Sequence, residues 1–268
     1  MRSLAQLLLL SSLAFAAAAS VAAENAGLRV EGTGFVVTDA TGKSLQGAEL
    51  IGAELDLGEI GVMRVVAVER DPTARFDEIW LHTLHLRQPG SMVFSEFCSP
   101  DPKGDKRVVV YPGYFDEALH YIADAERFSF SCVSGVEAKC LRWGYLPWRK
   151  APNTGASLAP YFETCIRLAR ADYLGSGEPS TRNGTAIDIY DHVGVQQPTP
   201  GLEDMHFEAG WNLDGAVCVH HTRIPENLTL AALSTRRGDK RSLPILGSPC
   251  SEQTASAQGA LLFNRSRP

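Results

Sequence analysis

The stretch Ser157–Leu174, SLAPYFETCIRLARADYL, decides how this chain is read. Leu158, Phe162, Cys165 and Ala169 recur at helical spacing and so share one apolar face. Ser157 can cap the start, and the spacing predicts a helix over about 158–173. A cysteine at 165 on that apolar face can pin the helix to a sheet.

Outward from this helix both flanks read as β-structure. On the C-terminal side, Gly175–Gly184 is a polar loop, and Thr185–Tyr190 is a strand with Ile187 and Ile189 on one face. Gly215–Val219 reads as a buried strand, and the Ser/Gln/Ala-rich tail beyond Cys250 as loosely ordered. On the N-terminal side, Phe128, Phe130 and Cys132 alternate as a strand, while Phe115–Asp124, with Leu119 and Ile122, has helical spacing. Val108–Val110, Ile79–Leu86 and Val62–Val68 are rich in strand formers. Val30 and Phe35–Val37 run into Asp39–Lys43, which has turn chemistry. LQGAELIGAEL (45–55) carries Gly-Ala-Glu-Leu twice, too few copies for a solenoid, so a strand or short turn repeat is expected. The fold class that follows is α+β, β-rich, with mostly antiparallel strands, one main helix (about 158–173) and disulfide staples. Strand and helix do not alternate as a doubly wound sheet requires. The chain divides into a leader at 1–23, an N-terminal β-rich region at 24–125, a second region at 126–250 and a tail at 251–268.

The leader is a signal peptide by its parts. Arg2 precedes LAQLLLLSSLAFAAAASVAA, whose short leucine core dissolves into small residues, with cleavage expected after Ala23. A retained anchor would need a longer strongly apolar run, and no later segment supplies a transmembrane span. With 25 Lys+Arg against 31 Asp+Glu the chain is mildly acidic and has no basic block, which argues against nucleic acid as a partner. Six cysteines, an even number in an exported chain, read as three disulfides. A zinc site is disfavoured, because there is no CxxC and the histidines are not spaced like a finger's.

The acidic cluster Asp172, Asp188 and Asp191, near Glu178 and His192, is of the kind that binds a metal or works as an acid/base pair. The bland alternative has Asp172 anchoring the turn after the helix and Asp188 bonding loop amides. Arg167 and Arg170 can form a buried pair with Asp172, or meet an anion. His206 and Glu208 share a strand face by the period of two and can meet a common ligand. His220, His221 and Arg223 are further polar candidates. His82 and His85 lie three apart on a strand and point to opposite faces, so they read as partly exposed strand histidines rather than a metal pair. Trp143, Tyr145, Trp148 and Trp211 are either core or a sugar- or peptide-binding platform. No HExxH, GxSxG, P-loop or dinucleotide fingerprint occurs, so no cofactor is expected.

Three segments carry a family resemblance: FSFSCVSGVEAKCLRWGYLPW (128–148), CIRLARADYLGSGEPSTRNGTAIDIYD (165–191) and HFEAGWNLDGAVCVHHTR (206–223). Together with GTGF (32–35) and LQGAELIGAEL, this text resembles the bacterial ADYC-domain proteins, exported proteins of unknown function. The motif that names the family ends in cysteine, but here it reads Ala171-Asp172-Tyr173-Leu174. With six cysteines still even in number, loss of one whole bridge is the simpler account, which argues against cysteine catalysis. The expected pairing is Cys132–Cys140, Cys165–Cys218 and Cys98–Cys250. The expected function is a secreted or periplasmic binding or interaction module with a protein or glycan partner. The rival is a hydrolase or metal-binding protein using Asp172, Asp188 and Asp191, or His206 and Glu208.

Overall fold

In the computed structural model, residues 27–117, 120–235 and 244–267 are described; the expected leader lies outside them. The strands are β1 Gly27–Glu31, β2 Gly34–Thr38, β3 Ser44–Gln46, β4 Glu54–Asp56, β5 Val62–Arg70, β6 Trp80–Arg87, β7 Ser95–Glu96, β8 Val108–Pro112, β9 Tyr114–Phe115, β10 Tyr121–Ile122 and β11 Phe128–Cys132. Then come helices α1 Val136–Arg142 and α2 Ala159–Arg170, followed by β12 Ile187–Asp191, β13 His206–Asn212, β14 Gly215–Val219, α3 Leu230–Thr235, β15 Ile245–Leu246, α4 Glu252–Ala257 and β16 Leu262–Ser266. The fold is α+β and β-rich. Among the described residues, every strand pair is antiparallel except β14 with β15.

The layers follow from the two-residue alternation of the strands. One sheet runs β11-β8-β6-β5-β4, with β7 added to β6. Val108 and Val110 of β8 face the small β1-β2-β3 sheet, burying Phe35, Val37, Met63 and Val65. Val109 and Tyr111, on the other face, pack with Leu81 against α1 and α2 through Leu141, Phe162 and Leu168. The far side of the helix pair is covered by a second sheet, β12-β16-β13-β14-β15, through Ile189, Trp211, Ala216 and Leu262. The outer face of that sheet carries Tyr190, Cys218 and Phe263 under α4. A Cβ at Gly210 would sit 2.3 Å from the Cβ of Ala255, so glycine is what lets α4 lie close on β13.

Four expectations are corrected. Phe115–Asp124 is not a helix; among its described residues it forms the β9–β10 ribbon, with Phe115 and Tyr121 against Phe162 of α2. Aromatic strand formers packing on a helix outweigh one apolar pair at helical spacing, and Leu119 lies outside the described residues. The tail beyond Cys250 is ordered: Ser251 caps α4, and β16 is an inner strand between β12 and β13. The cysteines pair in chain order, Cys98–Cys132, Cys140–Cys165 and Cys218–Cys250. Cys165 faces α1 rather than a strand, and Cys132 ends β11 on the side away from α1, so the expected pairings cannot form. His82 is a core residue, 1% exposed, against Phe35.

Candidate functional site

The helix α2 ends where its sequence turns to Ala-Asp-Tyr. Ala171 takes a left-handed conformation (φ +50°), and its N–H reaches back to the carbonyls of Arg167 and Leu168. Asp172 is therefore off the helix and buried. One carboxylate oxygen accepts from Arg167 Nη1 at 2.7 Å and the Gly177 N–H at 2.8 Å, the other from the Ser176 N–H at 2.9 Å. This closes the turn after the helix, the structural role that the sequence allowed for it.

Tyr173 leads into a fully buried polar network. Its hydroxyl donates to Glu208 Oε1 at 2.9 Å and accepts the Arg223 N–H at 2.7 Å. Arg223 holds Glu208 through Nε and Nη2, both at 3.1 Å, and donates to the α2 carbonyls of Leu168 and Ala169. Asn264 Nδ2 donates to Glu208 Oε2 at 2.7 Å and accepts from Trp211 Nε1 at 2.8 Å. Burial by itself would raise the Glu208 carboxyl; the Arg223 charge and the converging donors hold it below its ordinary value. Burial pushes the Tyr173 phenol well up, and the Glu208 charge adds to that. The network thus keeps a charged Glu208 as the tie between α2 and the second sheet, with Arg223 occupying two of the helix's terminal carbonyls.

The remaining expected site residues are held apart. Asp188, on β12, pairs with Arg265 of β16 at 2.5 Å and accepts from the Thr199 N–H. Asp191, at the end of the same strand, accepts the Tyr145 hydroxyl at 2.9 Å and the N–H groups of Val193, Gly194, Val195 and Gln196. Among the described residues, no hydrogen-bond partner is shared by Asp172, Asp188 and Asp191. His206 and Glu208 differ in exposure: His206, opposite Ser266 in the β13–β16 register, is exposed, while Glu208, beyond the register shift that follows Phe207, is buried. Glu178 is exposed, and His192 pairs with Glu252 at 2.9 Å. Among the described residues, no three His, Cys, Asp or Glu side chains are grouped to hold a metal ion.

A cleft of about 670 Å³ opens between α1, the last turn of α2 and the loop leading into β12. Its lining includes Lys139, Trp143, Arg170, Arg182, Asn183 and Arg223, and no Asp or Glu. Arg170 and Trp143 were singled out in the sequence, as an anion contact and a platform aromatic. Lys139 and Arg182 were not, because nothing local distinguishes them from solvated surface cations. Tyr145 and Trp211, the other half of the expected platform, are buried.

The ADYC domain model matches residues 47–225 of this chain. No curated protein and no solved structure matches it.

Proposed function

The chain belongs to the ADYC-domain family, and from that premise we propose that it works outside the cytoplasm as a disulfide-stapled binding module. One observation carries this reading. Each carboxylate that the sequence offered for catalysis (Asp172, Asp188, Asp191, Glu208) is engaged by structural donors and none lines the cleft, whose lining leaves cations open to a ligand. A general acid or base must have a lone pair or proton free to face a substrate. Three disulfides fit an oxidising compartment. No described helix is long and apolar enough to cross a membrane.

Two measurements test the proposal. The chain recovered from its host should lack residues 1–23 and titrate no thiol; recovery from the cytoplasm with reactive thiols overturns the export reading. Chromogenic ester, glycoside and phosphate substrates should not turn over. Turnover that Asp188→Asn or Asp191→Asn abolishes without shifting the thermal midpoint would replace the binding module with the hydrolase.

A further inference from the structure

We propose that the cleft binds a small organic oxyanion, a carboxylate, sulfate or phosphate carried on a sugar-like ring that lies against Trp143. This rests on the binding-module reading and names its ligand class.

Charge is the first argument. The chain as a whole is acidic, at formal net charge −6, yet four of the residues lining this cleft are cationic and none is acidic. Arg223 is neutralised by Glu208 and serves the core. The other three differ: among the described residues, no carboxylate lies within ion-pair distance of Lys139, Arg170 or Arg182. Arg170 donates to the Gly177 carbonyl, and Arg182 through Nη2 to Asn227 Oδ1 at 3.2 Å. These neutral acceptors orient the guanidinium groups and leave their charge uncompensated. Fixed, oriented guanidinium groups match planar and tetrahedral oxyanions.

Burial is the second. Lys139 is half-buried on α1, and burial holds its ammonium below the usual lysine value. The Asp101 charge offsets this only in part and from beyond ion-pair distance, and a desolvated cation with no carboxylate in contact gains when an anion arrives.

Shape is the third. About 670 Å³ is the size of a small-molecule site. Trp143 supplies one apolar wall, and Thr181 and Asn183 supply neutral hydrogen-bonding groups. An aromatic face beside amide and hydroxyl groups suits a hydroxylated ring better than an aliphatic chain.

The test is calorimetry on the oxidised full chain, with trigalacturonate, glucose 6-phosphate and glucose 6-sulfate as acidic probes and maltotriose as the neutral control. At least one acidic probe should bind saturably, more weakly as salt is raised, and maltotriose should not; which acid binds identifies the source of the oxyanion. Arg182→Ala and Lys139→Gln should each weaken that binding about tenfold, and Trp143→Leu should weaken it as well. Arg182 is exposed, so Arg182→Ala should leave the thermal midpoint unchanged. The inference is overturned if no acidic probe binds, if maltotriose binds equally well, or if Arg182→Ala leaves the affinity of a bound probe unaltered. Acidic binding that ignores the cleft variants removes this site and leaves the binding module standing.

Discussion

Asp191, itself buried, accepts four backbone N–H groups and one phenol. Asp191→Ala strands those donors, and should cost about 3 kcal/mol in urea unfolding. His82 acts in the opposite sense, as a buried group with an unmet need: its Nδ1 has no partner among the described residues, and burial lowers its pKa to about 4. The unfolded chain takes up this proton near pH 6.5 and the folded chain only near 4. Stability is therefore full above pH 6.5 and falls by up to about 3 kcal/mol as pH drops towards 4. His82→Leu should flatten that part of a melting-temperature profile, and an unchanged slope would place the titration elsewhere. At this scale the sequence allowed Asp172 the turn-closing role it plays, but not the side-chain donors of the other two carboxylates. Those donors lie far off, Tyr145 at 46 residues from Asp191 and Arg265 at 77 from Asp188, and no local pattern announces them.

The helix α2 was legible because its apolar face and its cysteine repeat at helical spacing over three turns. The ribbon β9–β10 was not, since two-residue strands carry no period and depend on what they pack against. His120 Nδ1 meets Glu163 Oε1 at 2.7 Å, and the Tyr121 N–H meets Glu163 Oε2 at 3.2 Å, fastening the ribbon to α2. The Glu163 hydrogen bond, then its charge, raises the His120 pKa above 6.5. This contribution is present in full below pH 6.5 and is lost as pH rises through the raised folded value. The protection factor of the Tyr121 N–H, its exchange rate corrected for the intrinsic pH dependence, should fall over that upper window in the native chain, and not in His120→Asn. The bulge in β13 escaped the sequence for a related reason. A register shift is a property of two strands together, so alternation along β13 alone could not announce that Glu208 is buried while His206 is exposed.

Across the molecule, the layers stack as sheet, sheet, helix pair, sheet, helix, and each disulfide joins neighbours in the chain rather than spanning the stack. That pairing suits loops of 25 to 34 residues, each worth on the order of 3 kcal/mol through the unfolded state. The β-rich character and the family were readable from composition and motif. The place of 262–266 was not, because polar Asn264 and Ser266 gave that segment the look of a surface tail until Glu208 and Trp211 supplied their partners. A chain stopped before Leu262 should lose cooperative unfolding of the second sheet while the Cys98–Cys132 region keeps its own; circular dichroism and exchange would register the difference. β16 also sets a timetable. A chain delivered from N- to C-terminus holds β12 and β13 long before the strand that joins them arrives, so the second sheet cannot close until the last residues are in place.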